Sequence, residues 1–304
     1  MRVLITGGAG FIGSHIAEYW QGKAEVVVLD NLRSGYKKNL DGLDVKFIEG
    51  DICDRAAVKE AMQGVDYVFH LAAMISVPES MFNITECIKI NNTGMINVLE
   101  EAAEAKVKKL CFSTSAAIYG DNPEMPKREV MIPEPKSPYA ITKLDGEYYC
   151  NMFTQTGRLQ TACLRYFNVF GPRQDPKSAY AAAIPIFTAK AVAGEDITIF
   201  GDGEQTRDFI YVKDIVEANV FMATHEFTGV YNIAYGGKIT INDLASEIIR
   251  LTNSKSKIVH LPERAGDVKH SMAAVDKLKA TGFVPSHTFA EALAYTIEAW
   301  KANR

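Results

Sequence analysis

Short apolar runs rich in β-branched residues alternate with stretches of helical character from the start of the chain. The runs are continuous and do not alternate with polar residues, which is typical of strands buried on both faces of a sheet. The predicted strands are Val3–Thr6, Val26–Leu29, Val45–Ile48, Tyr67–Leu71, Leu110–Ser113 and Thr161–Arg165. The predicted helices lie near Ile12–Gln21, Arg55–Gln63, Asn91–Ala105 and Tyr139–Thr156. Strand–helix–strand repetition of this length predicts right-handed crossovers and therefore an α/β fold with a doubly wound parallel sheet.

The pattern changes after Arg165. Residues 167–188 contain several prolines and a Gly-Pro pair, which predict a loop and a short helix. Asp208–Ala223 is predicted to be a strand leading into a helix, Gly229–Ala234 a strand, and the stretches near Ile241–Thr252 and Phe289–Trp300 amphipathic helices. We therefore predict a nucleotide-binding domain formed by residues 1–168 plus about 209–233. A smaller α/β substrate lobe is predicted from about 169–208 plus 234–304.

Composition excludes several classes of protein. The chain has 304 residues, 47% of them hydrophobic, and a net charge of −4, so we expect neither nucleic acid nor a membrane surface as partner. Its apolar runs are shorter than the roughly 18–20 residues of a membrane span, and the first residues run into glycines without a signal-peptide pattern. The five cysteines and six histidines show no metal-ligand spacing. We expect reduced cysteines, a cytoplasmic location and no metal site.

A glycine-rich loop, Gly7-Gly8-Ala9-Gly10-Phe11-Ile12-Gly13, follows the first predicted strand and opens a helix. Such glycines let backbone N–H groups approach a pyrophosphate at the positive end of the helix dipole, as in the Rossmann fold. Asp30 ends the second strand, where a carboxylate accepts hydrogen bonds from the adenosine ribose and repels the extra phosphate of NADP. Arg33 is the one residue in this segment that argues for NADP instead of NAD. Asp51 and Ile52 follow the third strand and are predicted to hold the adenine, so NAD is the expected cofactor.

Tyr139 and Lys143 are four residues apart, which places them on one face of a helix. A tyrosine with its ordinary pKa of about 10 is a poor base at neutral pH. A nearby ammonium and a cationic nicotinamide would stabilise the phenolate and lower that pKa. Ser113 and Ser115 end an earlier strand, where a hydroxyl is placed to bridge Tyr139 and a substrate oxygen. These residues predict proton transfer at a substrate hydroxyl.

Together, these motifs resemble those of the extended short-chain dehydrogenases/reductases, and within them most closely the UDP-hexose 4-epimerases. The resemblance covers essentially the whole chain. It rests on the residue stretches 6–14, His70-Leu71-Ala72-Ala73, 113–120, 137–143, Arg165-Tyr166-Phe167-Asn168, Gly201-Asp202-Gly203, Arg207-Asp208-Phe209 and Arg264-Ala265-Gly266-Asp267.

The resemblance implies a role for each matching residue. Tyr139 takes the proton from the sugar 4-hydroxyl, Lys143 holds the nicotinamide ribose, and Ser115 orients the 4-oxygen. The implied cofactor contacts are Gly7, Gly10, Phe11, Ile12, Gly13, Asp30, Asn31, Arg33, Ser34, Gly35, Asp51, Ile52, Leu71, Ala72, Ala73, Asn91, Ser113, Tyr139, Lys143, Tyr166 and Phe167. The implied substrate contacts are Val77, Ser115, Ala116, Tyr139, Asn168, Thr198, Ile199, Phe200, Arg207, Arg264, Asp267 and Ser271.

Two positions bear on the reaction and the sugar. Related dehydratases carry an acidic residue directly after the strand-end hydroxyl, and related decarboxylases tend to do so, whereas this chain has Ala116 and Ala117. The pattern therefore favours an epimerase. Ser271 matches the family position that limits room for the sugar C2 substituent. A small side chain there predicts that UDP-N-acetylglucosamine and UDP-N-acetylgalactosamine are accepted, with UDP-glucose and UDP-galactose as further candidates.

Other functions stay open at this point. A uronic-acid epimerase, a 4,6-dehydratase or a decarboxylase would share most of these motifs. A non-catalytic NAD-binding protein is a different class, and the intact Ser115, Tyr139 and Lys143 argue against it. The resemblance also implies a homodimer in which the helices near 91–105 and 139–156 pair across a two-fold axis.

Overall fold

The computed structural model describes residues 1–175, 182–263 and 269–302. The strands are β1 Arg2–Thr6, β2 Glu25–Asp30, β3 Lys46–Glu49, β4 Tyr67–His70, β5 Lys109–Ser115, β6 Thr161–Tyr166, β7 Asn168–Phe170, β8 Ile197–Phe200, β9 Thr206–Arg207, β10 Phe209–Tyr211, β11 Gly229–Ile233, β12 Ile239–Thr240 and β13 Ile258–Leu261. The helices are α1 Phe11–Trp20, α2 Arg55–Ala61, α3 Val77–Phe82, α4 Ile84–Ile88, α5 Gly94–Glu104, α6 Pro138–Gln155, α7 Ala183–Ala193, α8 Val212–Thr224, α9 Ile241–Thr252, α10 Asp276–Lys279 and α11 Phe289–Ala302.

A seven-stranded sheet forms the centre of the described structure, with the strand order β11-β6-β5-β4-β1-β2-β3. Every neighbouring pair in it is parallel. The chain proceeds outward from β1 to β2 and β3 on one side and from β4 onward on the other. This confirms the predicted doubly wound fold. The reversal of strand order lies between β1 and β4, and in open parallel sheets ligands bind in the crevice at that point.

Helices cover both faces of the sheet. Successive side chains of each strand point to opposite sides, so the apolar strands present side chains to the helices on both faces. Val3 and Ile5 of β1 pack into one apolar cluster with α1 and α8, and Leu4 between them packs into a second with α2, α5 and α6. All three side chains are fully buried. Strands that are apolar along their whole length therefore indicate two apolar cores, one on each face of the sheet.

The later elements form short two-stranded sheets around a third apolar cluster. β7 pairs with β10 and β8 with β13, both in parallel, and β9 pairs with β12 in the antiparallel sense. Phe170, Phe187, Leu244 and Leu293 lie in this cluster. The loop predicted over residues 168–170 is wrong: these residues form β7, which pairs with a strand about forty residues further along the chain. The division into two domains stays a prediction.

The helix predicted near Asn91–Ala105 is also only partly correct. Residues Lys89–Thr93 form a π-helical turn, and α5 begins at Gly94. π-turns are single wide turns that are frequent at functional sites. This one positions Asn91, whose contacts are described below. Across the described ranges, no helix combines the length and the apolarity needed to cross a bilayer.

A buried ion pair fixes α6 to the sheet. Glu147 of α6 accepts two hydrogen bonds from Arg165 of β6, at 2.9 and 2.7 Å, and a third from Thr114 of β5 at 2.9 Å. The side chains of Glu147 and Arg165 are each only 4% exposed. Thr114 and Arg165 are cross-strand neighbours, so one carboxylate holds two strands and a helix together.

We expect Glu147→Gln to lower the free energy of unfolding by about 3–5 kcal/mol, because it leaves the Arg165 charge buried without a counter-charge. Urea denaturation measures the change. Glu247→Gln is the matched control, since Glu247 pairs with Arg250 at 2.6 Å on the exposed side of α9. Exposed pairs contribute little, so the control should leave stability nearly unchanged. Equal losses in both variants would contradict the prediction.

Candidate active site

The predicted cofactor residues lie together because the carboxyl ends of parallel strands meet at one edge of the sheet. They follow the strands in order: Gly7–Gly13 after β1, Asp30–Gly35 from the end of β2, Asp51–Ile52 after β3, Leu71–Ala73 after β4, Ser113–Ala116 at the end of β5, and Tyr166–Phe167 at the end of β6. The strand order places these segments along one crevice.

The glycine loop packs backbone against backbone. Gly7 has a φ of +72°, and a Cβ there would lie 2.7 Å from the Ala72 nitrogen. A Cβ at Gly13 would lie 2.3 Å from the Gly7 carbonyl oxygen. Gly10 precedes α1 and provides no side-chain cap. The first-turn N–H groups of α1 therefore have no side-chain acceptor from the N-cap residue, and this cradle fits the pyrophosphate of a dinucleotide.

Asp30 connects this loop to the end of β2. One of its carboxylate oxygens accepts from the Ala9 N–H at 2.9 Å and the other from the Leu32 N–H at 2.8 Å. Burial raises the pKa of Asp30, and these hydrogen bonds oppose the rise. Each oxygen keeps a further lone pair, so the residue fits its predicted role with ribose hydroxyls. Asn31 donates to Asp51 at 2.8 Å and thereby joins the two segments predicted around the adenosine.

Tyr139, Lys143 and Ser115 converge at the end of β5. The Lys143 ammonium donates to the Ser113 carbonyl at 2.8 Å and lies 5.8 Å from the centre of the Tyr139 ring. The Ser115 side chain acts on Tyr139 in the direction that lowers the pKa of the phenol. The backbone N–H of Tyr139 donates to the Ser80 hydroxyl at 3.2 Å, which holds the first turn of α6 against α3.

Burial governs the protonation of this pair in the chain without cofactor. Burial raises the pKa of Tyr139, although the hydrogen bond from Ser115 opposes the rise. In the chain without cofactor the pKa of Tyr139 is therefore not lowered, because the phenolate loses its hydration. The lowering expected from the ammonium together with a cationic nicotinamide stays a prediction. Burial also lowers the pKa of Lys143 to about 8. Both groups favour their neutral forms more than they would in water.

Asn91 is a bridge between two walls of the crevice. Its amide donates to the Thr142 hydroxyl at 3.0 Å, and its carbonyl oxygen accepts from the Met74 N–H at 2.7 Å. The π-turn brings this buried side chain between α6 and the segment after β4. Asn91 thus holds the neighbourhood of Tyr139 in place, and its contact with the cofactor stays a prediction.

The predicted substrate residues come from several segments of the chain. Ser271 donates its backbone N–H to the Thr206 carbonyl at 3.0 Å, and the Arg207 guanidinium donates to the Lys269 carbonyl at 3.3 Å. These contacts bring Arg207 and Ser271 into neighbouring segments. Of the other predicted substrate residues, Thr198, Ile199 and Phe200 belong to β8, Asn168 begins β7, Val77 begins α3, and Ala116 follows β5. Arg264 and Asp267 lie outside the described residues.

Asp208 is a functional candidate that the sequence analysis did not single out by itself. Its carboxylate is fully buried and accepts from the backbone N–H groups of Tyr235, Gly236 and Ala273, each at 3.1 Å. Burial raises the pKa of Asp208 to about 7. The residue ties the strand after Arg207 to the segment after Ser271. Its signals in the sequence were its place in the Arg207-Asp208-Phe209 stretch of the family resemblance and at the start of an apolar strand.

A dinucleotide loop near a half-buried serine and tyrosine and a buried lysine is the arrangement of a short-chain dehydrogenase/reductase. The profile of the NAD-dependent epimerase/dehydratase family matches residues 3–234. The chain belongs to this family, and it is therefore an enzyme of a family that depends on NAD.

Solved structures of related proteins share the whole fold. A UDP-N-acetylglucosamine 4-epimerase from Methanobrevibacter ruminantium, in complex with UDP-N-acetylmuramic acid, is 40% identical with a TM-score of 0.96, over 100% of this chain and 99% of that one. A Thermus thermophilus UDP-glucose 4-epimerase in complex with NAD is 35% identical with a TM-score of 0.92, over 100% of both chains.

A relative with another reaction shows the same degree of similarity. The UDP-N-acetyl-α-D-glucosaminuronate decarboxylase of Bacillus cytotoxicus is 37% identical over 271 residues, which are 86% of this chain and 83% of that protein. Overall similarity therefore assigns the family, and the reaction has to be argued from the site.

The lowered pKa of Lys143 predicts a pH-dependent contribution to stability. Its ammonium loses a proton near pH 8 in the folded chain, whereas an unfolded lysine does so near about 10.4. Between these values the unfolded state binds more protons, so stability rises with pH. The free energy of unfolding of the cofactor-free wild type should therefore increase relative to Lys143→Met from about pH 8 to about pH 10. Urea titrations of both proteins across this pH range test the prediction. Lys59→Met, at an exposed lysine of α2, is the control. A difference in unfolding free energy between wild type and Lys143→Met that does not change with pH would contradict it.

Proposed function

We propose that this enzyme catalyses the NAD-dependent C4 epimerisation of a UDP-hexose through a transient 4-keto sugar. The observation that carries the proposal is the convergence of Ser115, Tyr139 and Lys143 beside the dinucleotide loop. Only a redox step at a carbon bearing a hydroxyl needs a proton acceptor at that place. A protein that merely bound NAD would have no use for a tyrosine phenol beside a serine hydroxyl and a lysine ammonium.

Each of these residues has a task that follows from its position. The Tyr139 oxygen accepts the proton of the sugar 4-hydroxyl and later returns it to the 4-oxygen. Ser115, which acts on the Tyr139 phenol, would orient the 4-oxygen of the sugar. Bound NAD supplies the acceptor and donor of the C4 hydride. Lys143, held by the Ser113 carbonyl, provides the positive charge that stabilises the phenolate.

The UDP part of the substrate would be held at the far end of the crevice. We assign its recognition to Asn168, Thr198, Ile199, Phe200, Arg207, Arg264 and Asp267. Arginine suits a diphosphate because its planar guanidinium donates two parallel hydrogen bonds. Val77 and Ala116 would contact the sugar between this end and Tyr139.

The residue after the strand-end serine argues for epimerisation. A dehydratase must remove a proton from C5 and water from C6, which requires a further acid beside the sugar. Ala116 and Ala117 occupy that place in this chain, where Ala117 donates its backbone N–H to the Ser115 hydroxyl at 3.2 Å. The decarboxylase and dehydratase reactions are the alternatives that the assay below distinguishes.

The proposed sugars carry an N-acetyl group at C2. Ser271 is small, and its backbone is fixed to Thr206 beside Arg207. By the family resemblance, a larger side chain at this position would take up the room for the C2 substituent. UDP-N-acetylglucosamine and UDP-N-acetylgalactosamine are therefore the proposed substrates, with UDP-glucose and UDP-galactose also accepted.

We further propose a homodimer and a cytoplasmic location. Ile141, Tyr148 and Met152 form an exposed apolar strip along α6, and Ile84 and Ile88 of α4 are exposed as well. Apolar strips of this kind mark surfaces that bind another protein. The exposed strip on α6 agrees with the expected pairing of that helix across the two-fold axis. The second helix that we propose for the dimer interface is α4, whereas the expected one was α5. All five cysteines are free thiols, which supports a reducing compartment.

Tyr139→Phe should lower turnover by a factor of about 10² or more while the protein still binds NAD, because only the proton acceptor is removed. Proton NMR of UDP-N-acetylglucosamine, UDP-glucose and a UDP-hexuronic acid in separate tubes detects C4 inversion, loss of water from either neutral sugar, or loss of carbon dioxide from the uronic acid. Tyr295→Phe, at an exposed tyrosine of α11, is the control. Unchanged turnover in Tyr139→Phe would refute the mechanism, and a 4-keto-6-deoxy product would identify a dehydratase.

Ser271→Tyr should lower kcat/KM for UDP-N-acetylglucosamine by about tenfold or more relative to UDP-glucose, because the added ring fills the space for the acetamido group. Ser271→Ala keeps the side chain small and should preserve the ratio. If both sugars lose activity equally in the tyrosine variant, Ser271 does not set the choice of sugar.

A further inference from the structure

A cavity of about 370 Å³ opens between the loop after β2 and the segment that leads into α3. Its lining residues are Arg33, Ser34, Ala73, Met74, Ile75 and Glu79. The first three were predicted to contact the cofactor, so the cavity belongs to the dinucleotide crevice. Arg33 and Glu79 stand on opposite walls.

These walls are joined by ion pairs. The Arg33 guanidinium donates to Glu79 of α3 at 2.8 Å and to Glu86 of α4 at 3.3 Å, through its two terminal nitrogens. The Arg33 backbone N–H donates to the Asn31 side chain at 3.1 Å, which fixes the base of the residue. Asn31 in turn donates to Asp51 at 2.8 Å. Arg33 and its glutamate partners therefore lie on the side of the crevice predicted for the adenosine.

An arginine shortly after the second strand is the group that accommodates the 2′-phosphate of NADP in doubly wound folds. In this chain both terminal nitrogens of that arginine already face carboxylates. A 2′-phosphate would have to displace these carboxylates from Arg33. It would then be repelled by the negative charges of Asp30, Glu79 and Glu86 and attracted by only one guanidinium. NAD carries no such phosphate, and its ribose hydroxyls need only Asp30.

We infer that Glu79 and Glu86 set the preference for NAD over NADP by holding Arg33 away from the 2′-position of the adenosine ribose. The inference concerns binding alone, so it does not depend on which sugar or which reaction the enzyme serves. Arg33 is a latent phosphate ligand, and the two glutamates keep it from acting as one.

The test is calorimetric titration of the cofactor-free protein with NAD and with NADP at low ionic strength, where exposed ion pairs are least screened. In Glu79→Gln/Glu86→Gln the ratio of the two dissociation constants, Kd(NADP)/Kd(NAD), should fall by about tenfold. All three side chains are partly exposed, so the variants should fold.

Two further variants separate the possible causes. Glu100→Gln/Glu104→Gln removes the two exposed partners of Arg55, at 2.6 and 3.3 Å, and should leave the ratio unchanged. Arg33→Ala in the Glu79→Gln/Glu86→Gln background should abolish the gain in NADP binding. An unchanged ratio in the double variant would overturn the inference, and so would an equal gain without Arg33, which would show a general effect of negative charge.

Discussion

All strands of the central sheet run in the same direction, and the organisation of the site depends on this constraint. A parallel sheet needs a crossover between every two neighbouring strands, so helices cover both of its faces. Every strand then delivers its following segment to one edge. The glycine loop, Asp30, the segment after β4 and Ser115 come from four strands, yet they line one crevice because the strand order reverses between β1 and β4.

Buried polar groups hold that crevice in shape. The carboxylates of Glu147 and Asp208 and the amide of Asn91 each join segments that are far apart in the chain. Removing such groups from water costs free energy unless all their hydrogen bonds are made. Each of these buried groups therefore favours the one arrangement of the chain that supplies its hydrogen-bond partners. Glu147 fixes α6 beneath Tyr139 and Lys143, Asn91 fixes the segment opposite, and Asp208 fixes the end that is proposed to bind the diphosphate.

The chemistry of the site depends on the same exclusion of water. Burial disfavours the charged forms of Tyr139 and Lys143, and in the chain alone it outweighs the hydrogen bond from Ser115. A proton acceptor in such a site becomes effective only when positive charge is brought to it. Coupling of this kind ties proton transfer to the presence of the cofactor, which suits a reaction that must reverse its own first step without releasing an intermediate.

The sequence by itself determined the sheet and its central strands and predicted the residues around the dinucleotide, because continuous apolar strands, glycine spacing and strand-end carboxylates are local signals. It also determined that Tyr139 and Lys143 share a helix face. Only the tertiary structure decided the strand β7, the π-turn at Asn91, the direction of the Tyr139 pKa and the partners of Arg33. Each of these depends on groups brought together from distant parts of the chain or on the loss of water around them. Arg33 shows the difference: its place after Asp30 suggests a phosphate ligand, whereas Glu79 and Glu86 reach it only once α3 and α4 have packed beside the sheet.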